Sequence, residues 1–417
     1  MEYCHTDSEL LTQFHKNIPQ LRFSGFKKIE NEKLKDENWF SAPASEIFIS
    51  VNDRNHPELP VLSASQELGM IYRDEGGMNI FHDVANEITY KRVKPGQFVI
   101  HLRSFQGGFA HSKVEGITSP AYTILDFKDR NKHNDLFWKY VLTSEEFIKR
   151  LELITYGIRD GRSINFSDFS TLKFHFPSYE VQQKIGAFLS HVDSLIQEKT
   201  KKLESLKAVK KSLLQKCFPK DGEKVPEMRF AGFSGDWEEM KLGEVCEINP
   251  SSNLPSVFEY VDLESVLGSE MISHRTEFKN NAPSRAQRLA KKGDVFYQTV
   301  RPYQKNNYLF ELDFTNYVFS TGYAQLRPKE INSKFLMCQI QSDTFVNMVL
   351  EKCTGTSYPA INSTELSGIS LLVSNDFIEQ QKIGQFFSKY DSLISAQQKE
   401  IDKLKDIKKS LLQKMFV

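Results

Sequence analysis

The sequence predicts an α+β chain: two strand-rich α/β blocks separated by two long helices that pair as an antiparallel coiled coil, with a pseudo-two-fold internal duplication. Three observations predict it. Residues 181–218 (VQQKIGAFLSHVDSLIQEKTKKLESLKAVKKSLLQKCF) and 379–416 (EQQKIGQFFSKYDSLISAQQKEIDKLKDIKKSLLQKMF) match without a gap at 22 of 38 positions, at an offset of 198. Apolar residues in both segments recur in alternating steps of three and four, which is the 3.5-residue period of a coiled-coil seam. Outside them lie short β-branched or aromatic runs bounded by Gly, Pro or Asn, the pattern of strands in a mixed fold.

The elements follow in chain order. Residues 1–176 are expected to form the first block, 177–218 the first helix, 219–374 the second block and 375–417 the second helix. Runs at 46–51, 97–102, 121–125 and 294–300 read as strands, and 136–154 and 333–351 as helices. The two blocks are only weakly alike. The offset of 198 survives in single anchors: Arg103-Ser104-Phe105-Gln106 with Arg301-Pro302-Tyr303-Gln304, Ser144 with Ser342, Phe147 with Phe345, and Gly157 with Gly355. A further echo, PQLRFSGF at 19–26 and PEMRFAGF at 226–233, lies at an offset of 207.

In the first helix the seam is Ile185, Leu189, Val192, Ile196, Leu203, Leu206 and Leu213; in the second it is Ile383, Phe387, Tyr390, Ile394, Ile401, Leu404 and Leu411. Ser178 and Asp376 are candidate N-caps, the latter with Glu379 three residues on as a capping box. Pro219 stops the first helix. About 39 residues at a rise of about 1.5 Å make a rod of roughly 58 Å. Lys199 and Gln397 place polar groups in mid-seam, where they weaken the core and set register. Two matching seams in one chain pair most economically with each other, antiparallel if the chain returns after the second block. Pairing between two copies of the chain is the alternative.

At 417 residues, with 40% hydrophobic and 26% charged residues, the chain has the composition of two to four ordinary globular units. Residues 1–20 carry no signal-like apolar run, and no stretch reaches the ~18 apolar residues of a membrane span, so a cytoplasmic location is expected. The five cysteines, Cys4, Cys217, Cys246, Cys338 and Cys353, are scattered and read as buried or incidental thiols rather than as a disulfide or zinc framework. Lys+Arg and Asp+Glu balance at 54 each, which at first disfavours a partner rich in phosphate. By segment the net charge is −2 for 1–176, +4 for 177–218, −4 for 219–374 and +2 for 375–417. The cationic surplus therefore sits on the helices.

No catalytic pattern is present. The chain lacks GxxxxGK[ST] and HExxH, and so lacks a phosphate loop and a zinc-protease helix. Phe230-Ala231-Gly232-Phe233 has one Gly where a methyl-donor loop has FxGxG, and Asn249-Pro250-Ser251-Ser252 departs from the NPP[YF] tetrapeptide of amino-methyltransferases. Glu400-Ile401-Asp402-Lys403 sits within the coiled-coil helix. The expectation is a non-catalytic chain with no metal or cofactor site of its own.

Binding chemistry remains. Arg reads guanine edges, Gln and Asn read adenine, and Lys answers phosphate. Loops with these residues beside Gly and aromatic residues supply the DNA-binding candidates: Arg103, Phe105 and Gln106 in RSFQGGF; Arg159 and Arg162 in GIRDGR; Arg285 and Arg288 in RAQRLAKK; Arg301, Tyr303, Gln304 and Lys305 in RPYQKNNY; and Tyr358 in GTSY. A solvated or salt-bridged surface role competes for each cation, and core packing competes for Phe105 and Tyr303.

On the duplicated QQKIG.F.S..DSLI and KKSLLQK.F segments, the PEMRFAGF segment followed by Gly235-Asp236-Trp237 and Lys241-Leu242-Gly243-Glu244-Val245, and Arg301-Pro302-Tyr303 after Gly293-Asp294-Val295, the chain resembles the specificity subunits of type I restriction-modification systems. The resemblance spans essentially the whole chain. It implies two target-recognition domains that each read one half of a split site in double-stranded DNA. It also implies paired helices that set the spacing and dock two methyltransferase (modification) subunits, with restriction/translocase subunits joining them. S-adenosylmethionine, ATP and Mg are then expected in those partners. The sequence departs from the pattern at KKIENEKLKDEN (27–38), where the second half has its Gly-Asp-Trp run; Trp39 is the candidate counterpart of Trp237. Two other classes compete: a coiled-coil scaffold with no DNA role, which leaves the paired Arg-aromatic-Gln loops unexplained, and a stand-alone DNA methyltransferase or nuclease, which the missing motifs disfavour.

Overall fold

The computed structural model describes residues 39–76, 84–154, 164–220, 222–355 and 357–415. The 19–26 segment, Gly157, Arg159 and Arg162 lie outside the described residues. The chain divides into two compact units, 1–198 with 402–417, and 199–401.

The first unit runs β1 (Trp39–Pro43), a helical turn α1 (Ala44–Ile47), β2 (Phe48–Val51), β3 (Leu62–Ser65), β4 (Gly69–Tyr72), β5 (Lys91–Val93), β6 (Phe98–Ile100), a turn α2 (Ser104–Gly107), β7 (Ala110–His111), β8 (Gly116–Thr118), β9 (Thr123–Phe127), α3 (Asp135–Val141), α4 (Glu145–Ile154), α5 (Phe166–Ser170), β10 (Lys173–Pro177) and the long α6 (Tyr179–Cys217). Its main sheet has the order β2-β9-β6-β7, all antiparallel, with β1–β10, β3–β4 and β5–β8 as separate pairs. The core is unusually aromatic. Phe48, Phe98, Phe137, Trp138, Phe147 and Phe169 are fully buried, and their rings meet edge-on or tilted, as in Phe48 against Trp138 at 5.2 Å, the geometry that aromatic quadrupoles favour.

The second unit runs β11 (Glu238–Lys241), α7 (Leu242–Val245), β12 (Cys246–Ile248), β13 (Val257–Val261), β14 (Val266–Leu267), β15 (Glu270–Met271), β16 (Arg275–Phe278), β17 (Ala286–Leu289), β18 (Val295–Gln298), β19 (Tyr308–Leu309), β20 (Tyr317–Ser320), β21 (Tyr323–Pro328), α8 (Ser333–Gln341), α9 (Asp343–Glu351), α10 (Ser363–Ser367), β22 (Ser370–Val373) and α11 (Phe377–Met415). The sheet β12-β21-β18-β19 repeats β2-β9-β6-β7 strand for strand. Adding 198 to the ranges of β2, β6, β7 and β9 lands on β12, β18, β19 and β21, and β1 and α1 likewise land on β11 and α7. Trp39 thus falls at the place of Trp237. The nine extra residues of the first half lie between Phe26 and Trp39, a step of 13 where Phe233 and Trp237 are four apart.

What differs is the remainder of each block. The first unit carries the small pairs β3–β4 and β5–β8, whereas the second carries a four-stranded sheet β16-β13-β20-β17 in which β13 and β20 run parallel.

Two expected helices are broken. The 136–154 run divides into α3 and α4, and 333–351 into α8 and α9. The cause is local. The Ser144 hydroxyl accepts the amide of Phe147 at 3.2 Å and that of Ser342 accepts the amide of Phe345 at 3.1 Å, so each serine starts a new helix as an N-cap. In the expected strand at 46–51, the first two residues instead close the turn α1.

The duplicated QQKIG motif docks each long helix onto its block. Gln182 accepts the Asn134 amide at 2.9 Å and donates to the Pro177 carbonyl at 2.8 Å. Gln380 accepts the Asn332 amide at 2.8 Å and donates to the Ser374 carbonyl, also at 2.8 Å. Asn134 and Asn332 cap α3 and α8 through the amides of Phe137 and Phe335. The glycine permits close approach: a Cβ on Gly186 would lie 2.7 Å from the Phe137 nitrogen, and one on Gly384 would lie 2.8 Å from the Phe335 nitrogen.

The helices pair antiparallel within both units. In the first unit, Lys408 reaches Asp193 at 2.6 Å; in the second, Lys210 pairs with Asp391. These are one ion pair written twice, because 193 and 391, and likewise 210 and 408, differ by 198. Mid-seam Lys199 is answered by Glu400 at 2.7 Å. Ile185 and Leu189 join the first unit's core together with Met415, and Ile383 and Phe387 join the second unit's core together with Cys217. The outer turns of the seam therefore face a block as well as a helix. At the start of α11, Asp376 caps the amides of Ile378 and Glu379, but Glu379 does not complete a capping box. Its buried carboxylate instead takes Arg229 of the RFAGF segment at 2.6 and 2.8 Å, a bidentate pair. Val181 occupies the corresponding place in the first half.

Candidate nucleic-acid interface

In the second unit, β18 ends in a loop held at both sides. Thr299 donates to the Gly322 carbonyl at 3.0 Å, Arg301 donates to the Pro359 carbonyl at 2.8 Å, and Val300 forms a bridge with Ala360. The chain then turns through a 3-10 turn at Pro302–Gln304 flanked by two left-handed residues, Arg301 at φ 54° and Lys305 at φ 56°. Neither is glycine. Non-glycine residues in this region store about 1–3 kcal/mol each and persist only where surrounding contacts impose them.

Those contacts bring together two sequence motifs that are 57 residues apart. The Arg301 guanidinium stands 4.3 Å over the ring of Tyr358, a cation–π contact. Tyr303 and Tyr358 are 51% and 63% exposed, so core packing does not account for either. Buried Gln298 donates to the Gln304 side chain at 2.8 Å and to the Val300 carbonyl at 2.7 Å, which fixes the loop from below. The result sets half-buried Arg301 beside exposed Tyr303, Gln304 and Tyr358, a group of the kind that reads base edges and stacks on bases.

Lys305 is engaged differently. Its ammonium donates to the Gln341 carbonyl at 2.8 Å and to Asp343 at 2.6 Å. Asp343 also takes Lys211 at 3.0 Å; Lys305 and Lys211 together hold its carboxyl below the usual range. Lys305 thus anchors the loop by an ion pair. Arg285 and Arg288 lie on the other sheet, just before and within β17. Arg285 is exposed. Arg288 is half-buried, its Nε has no partner among the described residues, and burial lowers its pKa.

In the first unit the corresponding loop follows β6. Arg103 is exposed and stands at the N-cap position of α2 without a side-chain cap bond; its amide donates to His101 Nδ1 at 3.2 Å. Gln106 is exposed and accepts from Gln66 at 3.4 Å, while Phe105 lies within α2. The glycine pair has a specific duty. Gly108 has φ 77°, and a Cβ there would lie 2.2 Å from the Leu142 carbonyl, which only glycine avoids.

Sequence reading missed Asp193, which gathers Lys139 at 2.9 Å, the Tyr140 hydroxyl at 2.7 Å and Lys408. Its signal was present in the DSLI identity shared by both helices. Among the described residues no group of three His, Cys, Asp or Glu side chains is placed to hold a metal, and no helix is long and apolar enough to cross a membrane.

The comparisons with known proteins agree with one another. Residues 40–208 and 234–406 each match the model of the type I restriction modification DNA specificity domain. The chain is 24% identical over 310 residues to the specificity subunit of the type I restriction enzyme MjaVIII of Methanocaldococcus jannaschii, covering 70% of this chain and 71% of that one. It is 28% identical over 196 residues to the HindI specificity subunit of Haemophilus influenzae, covering 44% and 41%. Among solved structures, the S subunit of a type I restriction-modification system from M. genitalium shares the fold with a TM-score of 0.59 at 16% identity, covering 93% of this chain and 98% of that one. With two copies of the domain matched over most of its length, the chain belongs to the type I restriction-modification DNA specificity family.

Proposed function

We propose that the chain is the DNA-reading subunit of a type I restriction-modification complex, with each strand-rich block reading one half of a split site in double-stranded DNA. The observation that carries this reading is where the two halves agree and where they differ. The main sheet, the helix caps and the docking of the long helices repeat at a single offset. The second sheet does not, and the loops after β6 and β18 keep their Arg and Gln (103 with 301, 106 with 304) while their other residues and their turn geometry differ. A duplicated scaffold that keeps its supports and varies its loops is what two different half-sites require.

In this reading Arg103 and Gln106 in the first block, and Arg301, Tyr303, Gln304 and Tyr358 in the second, face DNA. Arg159, Arg162, Arg285 and Arg288 remain candidates by chemistry alone. The segments 1–176 and 219–374 act as target-recognition domains, with 177–218 and 375–417 as the helices that separate them. The helices set the spacer and dock two methyltransferase subunits, to which restriction/translocase subunits add. Catalysis, with its S-adenosylmethionine, ATP and Mg, belongs to those cytoplasmic partners, and this chain holds no cofactor. Methylome sequencing of cells with and without the gene tests the whole reading. A methylated bipartite motif that disappears with the gene is the expected result, and an unchanged methylome refutes it.

A further inference from the structure

A second cationic cluster lies beside the Arg103 loop in the first unit, on residues the sequence did not single out. Strand register creates it. Ile100 pairs with Thr123, which sets His101 beside Tyr122; their rings are 6.2 Å apart. Lys91 pairs with Thr118, and its ammonium donates to the Tyr122 carbonyl at 2.6 Å. Val61 bridges to Ile117 and accepts the amide of Arg73 at 3.0 Å. Three separate stretches thus converge on Tyr122.

Arg73 is the unusual member. Its Nε and Nη1 are buried and have no hydrogen-bond partner among the described residues. Arg73 is half-buried as a residue, and two guanidinium donors left unmet away from water are destabilising in the free protein. Burial raises the Tyr122 hydroxyl, and the Arg73 and Arg103 charges oppose that rise. Burial lowers His101, with Arg103 adding to the effect, and burial lowers Lys91, with Arg54 adding to it. The nearby carboxylates Asp53 and Glu115 are engaged by Arg92 and His56.

We propose that Arg73 and Lys91, grouped around Tyr122 beside the Arg103 loop, form a phosphate clamp that grips the DNA backbone next to the first half-site. The proposal rests on the DNA-reading assignment and deepens it: Arg103 reaches the groove while Arg73 and Lys91 hold the adjoining phosphate. Phosphate contacts position the protein without reading sequence, and each contributes to the salt dependence of binding.

The test uses the full chain assembled with its methyltransferase subunits and a duplex carrying the motif mapped by methylome sequencing, with affinity measured from about 50 to 200 mM salt. Arg73→Gln is expected to reduce the slope of log affinity against log salt by about 0.9 and to weaken cognate and scrambled duplexes by the same factor. Lys91→Gln, which leaves the guanidinium in place, carries the same expectation should Arg73→Gln unfold. An unchanged slope in both variants, or a changed half-site preference, overturns the clamp. If Arg301→Ala still alters recognition while both slopes stay unchanged, DNA reading stands and the clamp alone falls. If the unaltered complex shows no salt-dependent DNA binding, both fall.

Discussion

Arg301 shows how a residue chosen for its chemistry acquires a definite position. Its left-handed backbone, the bond to Pro359 and the Tyr358 ring under its guanidinium hold a long side chain that would otherwise lose rotamer freedom on binding. Arg301→Ala is expected to weaken methylation of the cognate site by about 1–3 kcal/mol and to relax one base position in one half-site; Arg103→Ala is expected to do the same in the other half. Normal methylation by both variants would show that these loops do not read bases. Lys305 and Arg301 were indistinguishable by composition. Only the placement of Asp343 and Gln341 across the fold separates the anchor from the reader, because an ion pair between positions 38 residues apart leaves no local pattern.

The long helices carry the predictions that belong to elements. Gly384→Ala puts a methyl group 2.8 Å from the Phe335 nitrogen, and overpacking of this kind costs about 1–3 kcal/mol. Lower thermal stability with α11 still helical is the expected outcome, and full stability would refute the close-approach reading. Asp193 gives a pH-dependent test. Burial alone would raise its carboxyl, but Lys408, Lys139 and Tyr140 outweigh burial and hold it below its ordinary value. A depressed carboxylate contributes stability that is present above the unfolded pKa of about 3.9 and lost as pH falls through the folded value. Asp193→Asn should therefore destabilise the chain near neutral pH, with a gap to the unaltered protein that closes in acid. A gap that persists at pH ~2 would show that the carboxylate charge is not the cause.

At the scale of the whole molecule, zero net charge becomes a statement about assembly. The segments 1–176 and 219–374 carry −2 and −4, so the reading blocks have little general attraction for phosphate. The isolated chain is expected to bind its site weakly at physiological salt and tightly only with methyltransferase subunits. Tight, specific binding by the chain alone, measured by gel shift, would overturn this. Inserting one heptad into each long helix keeps the seam in phase and is expected to change the spacer of the methylated motif while leaving both half-sites intact.

The sequence by itself determined the duplication, the two long helices and their polar mid-seam positions, because a 3.5-residue period and 22 identities survive wherever each residue packs against a regular partner. It also marked Ser144 and Ser342 as anchors without revealing that they split two helices. Only the tertiary structure decided that the main sheets coincide strand for strand, that Arg301 stacks on Tyr358 while Lys305 is tied to Asp343, and that two guanidinium nitrogens of Arg73 are shielded without a partner among the described residues. The physical reason is one of range. Helical seams and caps are local and leave a periodic trace, whereas sheet register and loop convergence depend on pairings between distant segments that each block meets with different residues.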